Sequence, residues 1–279
     1  MISHNDPKLN LFSGLIEKLL NFVKSFLNSK LFDFIRNLLL ILSNLGFYLA
    51  AVLTVLIGFI AAIRLPKNGF KAFLLSILFT IGFVVLQFIA KKFVDACEIL
   101  IEENPTKMTS YAFLESIGLL SFIGGIVFFI INFINSIKGN TVENLVYAFA
   151  GLIVLWALSL LSLNPSEITI DIEKETSAGQ EAIGIITFFI KVFMKLVPLI
   201  FSVIIIFGSI NLLINLFSLF GNQGAVIRGW LESLSIFNIV VIGGLLPLGA
   251  YVSFLLLFLT IDIIKSILSL PEKIDKLKK

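Results

Sequence analysis

One cysteine and one histidine are all that this 279-residue chain offers a soft metal, and they stand far apart, Cys97 mid-chain and His4 near the start. A lone thiol closes no intramolecular disulfide, and one residue of each kind makes no ligand cluster, so no metal site is expected. Charge is scarce too. Asp, Glu, Lys and Arg make up 14% of the residues and leave a net charge of +3, too little for a nucleic-acid surface. A phosphate-cradling glycine loop, a nucleophile elbow, an HExxH helix and a carboxylate pair at catalytic spacing are all missing, so no catalytic residues, enzyme activity or cofactor are expected. The first ten residues are polar and contain Pro7, with no short apolar core of the kind a secretory signal carries.

What remains is apolar. Hydrophobic residues make up 58% of the chain, and the mean hydropathy is +1.05. A hydrocarbon layer of about 30 Å takes about 20 apolar residues as a helix, and runs of that length recur throughout. They are apolar without alternation, which excludes an outer-membrane barrel. The expected fold is an all-α polytopic membrane protein with six spans, near 38–63, 70–90, 111–137, 145–163, 196–220 and 234–261.

Short links, RLPKNG after the first span and KGNTVEN after the third, make neighbouring spans antiparallel. The spans group into three tandem helical hairpins, at 38–95, 110–163 and 181–270, within a transmembrane domain covering 37–270. Residues 1–36 form an amphipathic segment, with Leu15, Leu19, Phe22, Val23 and Phe26 on one face; it lies on the membrane surface or packs against the protein's own loops. Lys191 and Lys195 interrupt the fifth apolar stretch, so a second interfacial helix is expected at 181–195. An acidic loop at 164–180 and a basic tail at 271–279 complete the chain. Six crossings put both termini on one side. Fourteen Lys and Arg lie on that side and five on the other, which favours cytoplasmic termini in a bacterial-type inner membrane or an equivalent organelle membrane.

The hairpins share phrases. ESIGLLSFI at 115–123 matches EAIGIITFFI at 181–190, and the loops before them, CEILIEENPTKMTS and SEITIDIEKETS, are both Ile-rich and acidic. LGFYLAAVLTVLIGFIAAIRLPKN at 45–68 also aligns without a gap on 117–140. A parallel internal repeat is the expectation. Glu115 and Glu181 open their hairpins, either as ion or proton sites or as carboxylates at the positive ends of helices, where Ser177 and Gln180 also form a capping pattern.

Gly46, Ala50, Thr54, Gly58 and Ala62 place a small residue on every turn of span one, a helix-packing stripe or a pore wall. Gly243, Gly244, Pro247 and Gly249 predict a kink in span six. Gln87, Asn132, Asn135, Asn211 and Asn215 are the candidate polar lining of any conduit. The segment EITIDIEKE alternates as a short strand would, or rests its isoleucines on the bilayer. Partners are the lipid bilayer and either other membrane proteins or a second copy of the chain. Function narrows to two classes: a non-enzymatic organising or auxiliary subunit of a membrane complex, or a small-solute or ion transporter.

Overall fold

The computed structural model describes residues 7–65, 67–139, 142–173 and 177–277. The chain is almost wholly helical: α1 Pro7–Phe26, α2 Ser29–Arg64, α3 Gly69–Glu103, α4 Tyr111–Gly139, α5 Val142–Leu163, α6 Ala178–Ser218 and α7 Gln223–Leu277. Two three-residue strands, β1 Thr106–Met108 and β2 Ile170–Ile172, interrupt them. Helices α2 to α7 are all long and apolar enough to cross a membrane, so this is a multi-pass helical membrane protein.

Polar side chains set the helix starts. Asn28 accepts the amide of Leu31 at 2.8 Å to begin α2, and Asn222 accepts that of Ala225 at 2.9 Å to begin α7. Before α6, Ser177 and Gln180 exchange side chain-to-amide bonds at 3.3 Å, a reciprocal cap. α6 is one continuous helix of 41 residues, with no break between 195 and 196. The break expected there rested on the cost of ammonium groups in lipid, and protein covers them instead. Lys191 is fully buried, and Lys195 is 11% exposed in an ion pair with Glu98 at 2.9 Å. α7 runs unbroken through Gly243, Gly244, Pro247 and Gly249, and the helix continues through the start of the basic tail to Leu277; residues 278 and 279 lie outside the described residues.

The chain divides into two compact units, and α2 and α6 each pass from one into the other. One unit comprises the N-terminal segment to Ile41 and Pro105–Glu181. Within it α4 packs along α5, with contacts stepping in opposite directions: Gly118 faces Leu163, Gly125 faces Trp156, and Phe129 faces Phe149. Trp156 stacks on Phe122 at 5.4 Å and takes the edge of Phe26 from α1 at 5.5 Å. The loops before α4 and α6 meet here as a parallel pair, Thr106 opposite Ile170 and Met108 opposite Ile172. Among the described residues of the alternating segment the strand covers 170–172, with Ile168 and Ile170 buried and Ile172 exposed; residues 174 and 175 lie outside the described residues.

The other unit comprises Leu42–Asn104 and Ala182–Lys279. Here α2 runs antiparallel to α3: Ala62 faces Gly69, Gly58 faces Ser76, and Asn44 faces Gln87. α6 runs antiparallel to α7, with Asn215 on Gly229, Gly208 on Val240 and Ile204 on Gly243. Arg64 donates to the carbonyl of Leu219 at 2.6 Å and ties the turn after α2 to the turn after α6. Phe79, Phe83 and Phe237 cluster within 6.2 Å, with Trp230 edge-on to Phe237 at 6.4 Å. Among apolar lipid tails such helices gain little from excluding water. Close backbone approach and interhelical hydrogen bonds hold them, as where Ser209 donates to the carbonyl of Gly46 at 2.7 Å.

Candidate functional site

The two repeated carboxylates lie in the same unit, and each is engaged separately. Glu115, on α4, accepts the ammonium of Lys24 on α1 at 2.8 Å, and that ammonium also donates to the hydroxyl of Tyr111 at 3.0 Å. Burial alone would lower the Lys24 pKa, but these two partners outweigh it and hold the ammonium above the ordinary lysine value. Glu181, in the first turn of α6, reaches the start of α4. Its Oε2 accepts the Thr109 amide at 2.7 Å and the Thr109 hydroxyl at 2.6 Å, while Oε1 accepts the Ser110 amide at 2.9 Å. A carboxylate there satisfies amides that α4 leaves without partners and meets the positive end of that helix.

Of the five amides, Asn132 and Asn135 lie in one unit and Gln87, Asn211 and Asn215 in the other. Asn132 and Asn211 each donate to the carbonyl four residues back in their own helix, both at 2.9 Å. Asn135 is exposed on α4. Asn215 is buried near the end of α6, where it donates to the Gly229 carbonyl at 2.7 Å and the Ser233 hydroxyl at 2.8 Å and accepts from the Ser218 hydroxyl at 2.8 Å. Gln87 sits toward the opposite end of its unit, donating to Asn44 at 3.4 Å. Removing the Asn215 amide takes away both buried interhelical bonds, to the Gly229 carbonyl and the Ser233 hydroxyl, while the Ser218 hydroxyl keeps the Asn215 carbonyl. Asn215→Leu is therefore expected to cost about 2 kcal/mol, and Asn211→Leu about 0.5 kcal/mol or less. Chemical unfolding followed through Trp230, which lies in the same unit, compares them.

The small-residue stripe serves two neighbours in its unit. A methyl on Gly46 would press within 3.2 Å of Ser209 and Ile205 on α6, whereas one on Gly58 would collide with Ser76 on α3. Ala50 and Thr54 between them are fully buried, and Ala62 lies against Gly69. In the proline segment, a methyl on Gly243 would collide with Ile204, and one on Gly244 would come within 3.2 Å of Leu86 and Phe47. These glycines admit neighbouring helices, while a methyl on Gly249 would meet nothing within 4 Å.

Three features escaped the sequence reading: buried Lys191, the Lys195–Glu98 pair, and a cleft of about 450 Å³ between α2 and α3 lined by Asn44, Tyr48, Val84, Gln87, Phe88 and Lys91. The cleft had a signal. Folding the sequence about RLPKNG sets Asn44 opposite Gln87. Among the described residues no three His, Cys, Asp or Glu side chains come together as metal ligands. No protein-family model, curated protein or solved structure matches this chain.

Proposed function

We propose that the protein is a non-enzymatic membrane protein acting as an organising or auxiliary subunit of a membrane complex. The observation that carries this reading is where its charges lie. Residues 37–63, 72–90, 116–137, 144–163, 196–218 and 233–261 contain no Asp, Glu, Lys, Arg or His, and each stretch alone is long enough to cross the hydrocarbon. The buried or paired Lys191, Lys195 and Glu98 lie between about 34 and 44 Å along their helices from the turns that Arg64 ties together, farther than the hydrocarbon is thick. Proton- and ion-coupled carriers place ionisable groups within the membrane. Here none is left there, and Asn132, Asn211 and Asn215 are spent on bonds within and between helices.

In this reading three tandem hairpins cross in the same sense, and the Lys- and Arg-rich side holding both termini faces the cytoplasm of a bacterial-type inner membrane. α1 lies on that surface: Leu15, Ile16 and Phe22 are each more than half exposed, an apolar face suited to the interface. The lipid-facing apolar surface receives another membrane protein or a second copy of the chain.

Flux through the purified protein in proteoliposomes separates this from the transport alternative. Proton, potassium and sodium leak is expected to match empty vesicles, and Glu115→Gln and Glu181→Gln to change nothing. A protein-dependent flux that either substitution removes would establish transport.

A further inference from the structure

The cleft between α2 and α3 has the order of polarity found in a phospholipid. Asn44 lies about 30 Å along α2 from Arg64, and Lys91 about 33 Å along α3 from Gly69, so the cleft sits one hydrocarbon thickness from the turn joining these helices. Its lining is graded. Lys91 is outermost, Asn44 and Gln87 come next with Phe88 beside them, and Tyr48 and Val84 lie about one turn deeper. Tyr48 is 60% exposed, Val84 57% and Phe88 65%, so the deep part opens sideways onto the helix surface.

The polar groups are unspent. Lys91 is exposed and has no ion-pair partner among the described residues. The single bond between Gln87 Nε2 and Asn44 Oδ1, at 3.4 Å, leaves the Asn44 amide protons, the second Gln87 proton and the Tyr48 hydroxyl available. Lys92, whose ammonium lies 5.9 Å from the centre of the Phe88 ring, does not line the cleft. The nearest acidic group along the helix, Asp95, is one turn farther out and does not line the cleft.

We propose that this cleft binds the headgroup of an acidic phospholipid. The phosphate sits between Lys91 and the two amides, the glycerol ester region meets Tyr48, and an acyl chain runs down past Val84. An unpaired ammonium favours a headgroup of net negative charge over a zwitterionic one, whose own cation it repels. Only a molecule with an apolar tail uses the exposed deep end. The proposal rests on the reading that α2 and α3 cross the bilayer.

Native mass spectrometry of the delipidated full chain, titrated with phosphatidylglycerol, phosphatidylcholine or inorganic phosphate, tests it. Phosphatidylglycerol is expected to bind about fivefold more tightly than phosphatidylcholine, the equivalent of one lysine at an anionic surface. Lys91→Gln should abolish that preference, Lys91→Arg should keep it, and Asn44→Leu with Gln87→Leu should weaken phosphatidylglycerol binding. Lys71→Gln, at the other end of α3, should leave the preference intact. A preference that survives Lys91→Gln, no preference in the unaltered protein, or displacement of the lipid by millimolar phosphate would each overturn the proposal. A side-specific cysteine-labelling pattern is independent of lipid preference, so loss of this site and loss of the membrane topology are separately visible.

Discussion

Glu181→Ala is expected to destabilise the unit containing α4 and α5 by about 3 kcal/mol, and Glu115→Ala by less than about 1 kcal/mol. The two glutamates open matching phrases, yet their surroundings differ. Glu181 satisfies two backbone amides and a hydroxyl at the start of α4, three donors that alanine would leave without their acceptor. Glu115 and Lys24 are each 30% exposed, where water and salt replace most of what the ion pair supplies. Glu181→Gln should fall between, because the amide keeps an acceptor but loses the charge and turns two hydrogens toward the donors. Only two tryptophans are present. Trp156 lies in this unit, so unfolding followed by fluorescence in a Trp230→Phe background isolates it. Equal losses for the two alanine variants would mean that these hydrogen bonds do not hold the start of α4.

Gly69→Val is expected to cost about 3 kcal/mol or more and to separate α2 from α3 at their shared turn. A Cβ at Gly69 would collide with the Ala62 carbonyl oxygen and lie 2.9 Å from its carbonyl carbon. The obstacle is backbone within a helix, so no rotamer change relieves it. Gly82→Val serves as the control, because a Cβ at Gly82 meets nothing within 4 Å, and it should change stability little. Trp230 fluorescence in a Trp156→Phe background reads both. Trp156→Phe itself removes no hydrogen bond, since the buried indole N–H has no acceptor among the described residues, and its cost is the packing lost on Phe122 and Phe26, which the background without further substitution measures.

The helices were legible because a span is written in composition: an uncharged run such as 196–218 needs no tertiary information to be recognised. The small residues at Gly46 and Gly58 were legible as contact points for the same reason, although which helix each one meets was not. Residues 97–103 have the composition of a loop yet continue α3, because their acidic character marks the end of the lipid and not the end of the helix. Lys191 reads from the sequence as interfacial, and its full burial is not legible there, since a sequence shows what lipid costs an ammonium but not which side chains cover it. Glu181 bonds to residues 71 and 72 positions away, a pairing that depends on the loops before α4 and α6 lying side by side as β1 and β2. Nor does hairpin order along the chain reveal that the first and third share a compact unit while the second belongs to the other.

Side-specific labelling of single cysteines decides the central claim, that the chain crosses the membrane an even number of times with its first and third turns on one face. In a Cys97→Ala background, Lys67→Cys, Gln223→Cys and Lys107→Cys are each exposed to a membrane-impermeant maleimide in sealed vesicles of known orientation. Positions 67 and 223 are expected to react from the same side and position 107 only from the other. Labelling of 67 and 223 from opposite sides, or of 107 from the side that labels 67, would contradict the account.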